Sequence, residues 1–404
     1  MTGTEVLTGR VSDLNGPWLA EQLRQLGVDV GQIVVVGDRP DDLRSALGFL
    51  AAGNDLVITS GGLGPTADDL TAAVVAEVQG RPSVLDPALE QRIAAVVARF
   101  SGSLDPESTA IAVRKEAMVP VGATVLEPVG TAPGLVVPPA DGRTGPPVVV
   151  LPGPPWELQQ MWPAAAASPL VQAVLEKAEE LRQHTLRLWD RPESELAATL
   201  RRIDGDLAGL EITTCLRAGE LEVVSRYAPA AEPARQRLVQ AVGADFGDAL
   251  FSVDGATVDE LVGSAVADRG WTVAVAENFT GGVLSARLAR GPVDLAERFV
   301  GGLTLRSEAA LGTPAGVSVG GFEAGPGPAL ATAMAAGART TFGTDVGVGV
   351  TAVAAGASGR RVHLSVVTPE GERGCSRAVS ADADGARSRV VSAALHLLRR
   401  SLTR

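Results

Sequence analysis

The sequence predicts an α/β protein whose first domain is a sheet covered by helices on both faces. Three observations carry this. The chain has 404 residues, more than one hydrophobic core ordinarily spans, so two or three domains are expected. Short β-rich runs alternate with helical patterns through the first 160 or so residues, the rhythm of a doubly wound sheet. Only 3% of the residues are aromatic, so Val, Leu, Ala and Ile must build the cores. Glycine and proline number 47 and 26, but without a three-residue period, which excludes a collagen-like rod.

In the first domain, residues 1–165, Trp18, Leu19, Leu23 and Leu26 recur at helical spacing and Gln32 to Val36 follows as a strand. Leu43, Ala46, Leu47 and Leu50 mark a second helix, Leu56 to Thr59 a buried strand, and 71–79 a third helix. Pro147 to Leu151 is another apolar strand, closed by Pro152, Gly153, Pro154 and Pro155. A doubly wound fold begins on a strand, whereas this chain opens on a turn-like run. The domain is therefore expected to lack its first strand, or to have its start upstream of Met1.

An alanine-rich helical stretch near 163–180 leads into a small α+β unit, 166–248. It carries a strand through Leu186 and Leu188, a helix from Glu193 to Ile203, strands at Leu210 to Cys215 and Leu221 to Ser225, and a helix near Glu232 to Gly243. The third domain, 256–404, opens with Thr257 and Glu260 in a capping-box pattern. Trp271 to Ala276 is a strand, and Thr280, Gly281 and Gly282 turn the chain into a helix. A long helix spans about Pro328 to Thr341. Strands follow at Val346 to Val350 and Val362 to Val367, and a helix at Arg387 to Arg399.

The formal charge of −12, from 35 basic and 47 acidic residues, opposes broad nucleic-acid or anionic-membrane binding. No basic region and apolar run follow Met1, and Gly, Pro or charge breaks the apolar stretches early, so a cytoplasmic protein without a membrane span is expected. Cys215 and Cys375 form no CxxC and read as ordinary buried thiols. His184, His363 and His396 make no metal motif and read as packing or surface residues. Lys115 and Lys177 are the only lysines and Tyr227 the only tyrosine.

The sharpest local feature is Thr59-Ser60-Gly61-Gly62-Leu63-Gly64-Pro65-Thr66-Ala67-Asp68-Asp69-Leu70-Thr71, between a buried strand and a helix. It is neither a Walker A sequence nor a GxGxxG fingerprint. Its residues admit two readings: a Gly/Pro turn with aspartates capping the helix, or a nest of amides that holds a phosphate. In the second reading the two carboxylates require a divalent cation, Mg²⁺, Mn²⁺ or Co²⁺, to bridge them to the phosphate.

This loop, with Gly3-Thr4-Glu5-Val6-Leu7-Thr8-Gly9 and Asn15 before it, resembles the N-terminal domain of the CinA family, which is similar to the MoaB/MogA molybdopterin-binding fold. Val36-Gly37-Asp38, Lys115-Glu116-Ala117, Gly130-Thr131-Ala132-Pro133-Gly134 and Leu151-Pro152-Gly153-Pro154-Pro155-Trp156-Glu157 extend the likeness over about 160 residues. The resemblance implies a three-layer domain with a metal-dependent site hydrolysing ADP-ribose or a related nucleoside diphosphate to AMP and ribose 5-phosphate. It points to Asp68 and Asp69 as catalytic and metal-binding. Glu5, Asp38, Gly62, Gly64, Thr66, Gly130, Thr131, Gly134, Gly153 and Glu157 are the substrate-binding candidates. Asp38 reads equally as a satisfied turn carboxylate, and Trp156 and Trp162 as base-stacking or core residues. At Glu116 the family usually carries glutamine.

Residues 256–404 resemble the CinA C-terminal domain, whose active members deamidate nicotinamide mononucleotide. The family's Glu-Ser-Cys-Thr-Gly-Gly motif reads here Glu277-Asn278-Phe279-Thr280-Gly281-Gly282. The serine nucleophile is thus replaced by Asn278, whose amide nitrogen cannot attack. Arg306 falls near the family's tyrosine, and this domain contains no lysine or tyrosine. Arg306 stays protonated and cannot act as a base. The deamidase is expected to be inactive, with Asn278, Thr280 and Arg306 marking the degenerate site. A homodimer is a family-level expectation. The alternative function is a non-catalytic nucleotide-binding or interaction protein.

Overall fold

The computed structural model describes residues 1–100, 105–178, 180–305, 325–356, 359–380 and 383–403. They form two compact units, Met1–Leu181 and Arg182–Arg404.

The first unit is built on a four-stranded sheet in the order Val57–Ser60, Val148–Leu151, Gly134–Val137, Thr124–Leu126. The first pair is parallel and the others antiparallel. Val148 to Leu151 is apolar without interruption because both faces of this strand are covered. Val148 and Val150 join Leu43, Leu47, Val75 and Leu89 in one core. Val149 and Leu151 face the opposite core, with Leu19, Leu23, Leu158 and Trp162. Alternation along a single strand thus produces three layers. Trp162 is one of the core anchors, whereas Trp156 is exposed. The helix Pro169–Leu175, assigned by sequence to the middle unit, packs Val171 into this second core.

The expected Gln32 to Val36 strand is reduced to one parallel bridge between Thr2 and Val36. Met1 donates its amine to the Val34 carbonyl (2.8 Å), Thr2 its amide to Ser60 (2.9 Å), and Val36 its amide to Met1 (3.0 Å). Met1, Thr2 and Gly3, whose amide also reaches Val36 (3.1 Å), therefore lie between Val36 and the Val57–Ser60 strand. A cavity of about 680 Å³ opens beside Met1, Ile33, Val34 and Ile58.

In the second unit, an antiparallel sheet runs Leu250–Ser252, Arg182–Trp189, Glu220–Tyr227, Leu210–Arg217. The helices Glu193–Arg202 and Glu232–Phe246 contribute Leu196, Leu238 and Val242 to its core. A six-stranded sheet follows, with Val273–Glu277 parallel to both Phe299–Thr304 and Val346–Val350. The capping box at Thr257 forms as its residues dictate. On one face the alanine-rich helix Pro328–Phe342 comes so close that a Cβ at Gly347 or Gly349 would strike the carbonyl oxygens of Ala335 or Ala331. Cys215 and Cys375 are unpaired and only half-buried, not fully enclosed as read from sequence. Among the described residues, no helix is long and apolar enough to cross a membrane.

Candidate functional site

The site lies where the Val57–Ser60 and Val148–Leu151 strands end. Their following loops, 61–70 and 152–154, enclose a cavity of about 480 Å³ with residues from the N-terminal turn. In parallel sheets this end collects ligands because the loops diverge there.

The glycine loop is shaped by the chain's first residues. Gly61 and Gly62 have φ of 99° and 66°, in the left-handed region. A side chain at Gly61 would strike the Thr2 backbone, and one at Gly62 the Thr71 hydroxyl. The loop then closes on itself: Thr71 donates its amide to Gly62 (3.0 Å) and starts the helix Thr71–Gln79. Asp69 Oδ2 accepts the Thr66 amide (2.9 Å) and hydroxyl (2.6 Å), and Asp68 Oδ1 accepts from the same hydroxyl. These bonds, led by that of Thr66, hold the Asp68 carboxyl below its ordinary range. Lys115 donates to the carbonyls of Gly64 (3.3 Å) and Thr66.

On the other side, Asn15 is buried and donates to Ser60 Oγ (2.9 Å) and the Gly153 carbonyl (2.7 Å). One amide thereby ties the end of the Val57–Ser60 strand to the 152–154 loop. Its Oδ1 is buried with no hydrogen-bond partner. Glu116 is 8% exposed and accepts from the Thr131 hydroxyl (3.2 Å). Burial pushes its pKa up to about 7, with Thr131 opposing the rise and the charge of Asp69 adding to it. Glu157 is also raised by burial. A Cβ on Gly130 would lie 2.7 Å from its carboxylate.

Of the residues singled out in the sequence, Glu5, Gly62, Gly64, Asp69, Thr131, Gly153 and Glu157 line the cavity. Thr66 and Asp68 lie behind it in the same loop, and Gly130 beside Glu157. Two candidates have other tasks. Asp38 Oδ2 accepts the Thr4 amide (2.8 Å) at the start of the turn Thr4–Leu7, which makes it the satisfied turn carboxylate. Gly134 begins the strand Gly134–Val137 and is small because Met161 packs against it. The orphaned oxygen of Asn15 and the raised acid at Glu116 are the features that residue type alone left unassigned. In the sequence Asn15 stands out only as part of the family resemblance, without a role, and Glu116 only as a departure from the usual glutamine.

Among the described residues no three His, Cys, Asp or Glu cluster as a metal site. Asp68 and Asp69 converge on the one hydroxyl of Thr66, and of the two only Asp69 lines the cavity.

In the second unit Glu277 is fully buried. Its carboxylate accepts the amides of Ser285 (2.9 Å) and Leu284 (3.2 Å) and the hydroxyls of Thr280 and Ser285 (2.5 Å each). Thr280 is thereby a fixed donor inside the fold. Asn278 donates its side-chain amide to the Leu305 carbonyl. Arg306 lies outside the described residues.

Two families match the chain. One, described as "Probable molybdopterin binding domain", covers residues 1–172, and the CinA C-terminal domain covers 255–402. A CinA-like protein of Mycobacterium sp. (strain JLS) is 47% identical over 421 residues, covering 100% of this chain and 97% of its own length. That of Mycobacterium tuberculosis (strain ATCC 25177 / H37Ra) is 43% identical over 427 residues, with 100% and 96% covered. The crystal structure of a CinA protein with unknown function from Thermoplasma acidophilum is 33% identical, covering 40% of this chain and 90% of its own, with a TM-score of 0.34. With full-length relatives at this identity and both domains matched in order, the chain belongs to the family of CinA-like proteins, a MoaB/MogA-like domain followed by a CinA C-terminal domain.

Proposed function

We propose that the first unit hydrolyses ADP-ribose or a related nucleoside diphosphate with the help of a divalent cation. One observation carries the reading: the side chains lining the cavity include Glu5, Asp13, Asp69 and Glu157 but no lysine or arginine. Lys115, in the neighbouring helix, spends its ammonium on the carbonyls of Gly64 and Thr66. A pyrophosphate enters such an acidic pocket only with a cation that neutralises both sides.

Asp69, with Asp68 behind it, would hold that cation, which supplies Lewis acidity at a phosphoryl oxygen and acidifies a bound water. The amides of the Gly62 to Gly64 turn bind the phosphate oxygens and stabilise charge as it develops there. Asn15 Oδ1, buried and without a donor, accepts from a ligand hydroxyl or amine. Water attacks one phosphorus, the bridging P–O bond breaks, and AMP and ribose 5-phosphate leave. The proton of the water passes to a carboxylate of the cavity rim. The acidic chain with two unpaired thiols fits a reducing, cytoplasmic setting. We further propose that the C-terminal deamidase is inactive, because Asn278 occupies the nucleophile position.

The test is purified protein incubated with ADP-ribose and Mg²⁺, Mn²⁺ or Co²⁺, beside an Asp68→Asn/Asp69→Asn variant whose folding is checked by circular dichroism. Metal-dependent AMP release that disappears in the folded variant supports the reading. A folded parent without turnover sinks it. The sparse ligand set favours the second reading, nucleotide binding without hydrolysis, which tight binding without AMP release would select.

A further inference from the structure

We propose that the strand Leu210–Arg217 pairs antiparallel with the same strand of a second copy of this chain, about a two-fold axis at Thr214. Among the described residues this strand ends its sheet: it pairs with Glu220–Tyr227 on one side and with no strand on the other. Proteins usually blunt such edges by shortness, bulges, proline or charge. The opposite edge of the same sheet, Leu250–Ser252, is three residues long and shifts register. The edge strand Gly371–Ala378 carries Glu372, Arg373 and Arg377. Leu210–Arg217 is unguarded by comparison. It keeps eight residues in unbroken register, is β-branched or apolar from Ile212 to Leu216, and is charged only at Glu211 and Arg217.

The hairpin turn fixes which backbone groups face outwards. Ala218 and Gly219 have φ of 50° and 89°, the two positive angles of a two-residue turn. Arg217 and Glu220 flank it and form a hydrogen-bonded pair, so every second residue back from Arg217 also bonds to Glu220–Tyr227. Ile212, Thr214 and Leu216 therefore turn their N–H and C=O groups to the open edge. An axis at Thr214 sets Ile212 opposite the partner subunit's Leu216, and Glu211 opposite the partner subunit's Arg217. Within the chain Glu211 already faces Arg226, and Arg217 faces Glu220. Charges thus alternate in sign across both copies, which opposed pairs on one sheet face favour. Moving the axis to Thr213 would set Glu211 against a cysteine and leave Arg217 without a counter-charge. Leu216, 42% exposed and outside the core that Leu210 and Ile212 reach, gains an apolar neighbour in the Thr214 register.

Cross-linking and sedimentation of the full-length protein test this. The register places Thr213 opposite Cys215 of the partner subunit in a non-hydrogen-bonded pair, with Cα atoms about 4.5 Å apart and within reach of a disulfide. Mild oxidation of Thr213→Cys should therefore link the new thiol to Cys215 of the partner subunit, identified by mass spectrometry of the joined peptides. Glu211→Cys, which faces Arg217 instead, should not link to Cys215. Under reducing conditions, Thr214→Pro removes the central outward N–H while sparing the ladder to Glu220–Tyr227. It should weaken self-association at least about tenfold. Thr214→Val loses only the hydroxyl that bonds Glu193 and should associate like the parent. Circular dichroism and thermal unfolding establish that both variants are folded, and if Thr214→Pro is not, the cross-link alone decides. Absence of a link between positions 213 and 215 of two copies overturns the proposal, since any dimer then forms elsewhere. A folded Thr214→Pro protein that associates as tightly as the parent overturns it too.

Discussion

Thr131 donates its hydroxyl to the Glu116 carboxyl across 3.2 Å, on a side chain 8% exposed. The bond moderates but does not cancel the cost of burying a charge, so the acid titrates at about 7 against an ordinary 4.5. The folded state therefore holds this proton more tightly than the unfolded chain. Its stabilising contribution is complete below about pH 4.5 and is lost as pH rises through about 7. Glu116→Gln keeps the shape and removes the titration. The variant should match the parent at pH 5 and unfold about 3 °C higher at pH 8, read by calorimetry at both values. The same increment at both pH values would refute the buried-acid account.

Lys115 links the helix Pro106–Glu116 to the glycine loop through the carbonyls of Gly64 and Thr66. Its work is to hold those carbonyls, and through them to aim the amides that a phosphate would use. Lys115→Met retains the aliphatic stem. We expect the dissociation constant for ADP-ribose with Mg²⁺ to rise about fivefold or more, as for the loss of a charge-assisted hydrogen bond. The unfolding temperature should change little. Calorimetric titration checks this, and unchanged affinity would show that the loop holds its shape unaided.

What the sequence disclosed followed from local rules. The apolar run at Val148 to Leu151, the helix at 71–79 and the capping box at Thr257 depend on neighbouring residues, and they form as expected. Gln32 to Val36 has strand composition, yet pairing is a property of two segments, and only Val36 finds a partner. The hairpin strand Gly371–Ala378 was not visible because its edge position allows Glu372, Arg373 and Arg377, with little apolar alternation. At the site, glycines and aspartates of one loop were legible as a group. The link between Asn15 and Gly153 spans 138 residues and could be seen only once the loops were in place.

Glu277 spends its carboxylate on Thr280, Leu284 and Ser285, and no lysine or tyrosine follows Tyr227. If position 278 is that of a lost nucleophile, as proposed, restoring a hydroxyl there would supply only one part of what a deamidase needs. Neither the parent nor Asn278→Ser should release ammonia from nicotinamide mononucleotide above the uncatalysed rate. Ammonia release by Asn278→Ser alone would reveal a base that the sequence does not announce.

His396 stacks on Trp189 with ring centroids 4.1 Å apart, meets the edge of Phe251 at 4.6 Å, and bonds Glu220 through Nε2 at 2.9 Å. Burial lowers its pKa below 6.5. Glu220 opposes that shift, while Arg399 and Arg400 add to it. A base whose folded pKa is depressed is held neutral, so its contribution is full above pH 6.5 and is lost as pH falls towards the folded value. Glu232, kept at about 2 chiefly by Arg235 and then by Tyr227, acts in a separate window below about pH 4.5. Urea midpoints of the second unit should thus begin to fall between pH 6.5 and 5, before any carboxylate effect of that kind. His396→Gln should cost about 1–3 kcal/mol at pH 7.5 by disturbing a buried contact. It should also flatten the pH 6.5 to 5 segment while leaving the lower one. A variant that keeps the parent's slope through that segment would place the titrating group elsewhere.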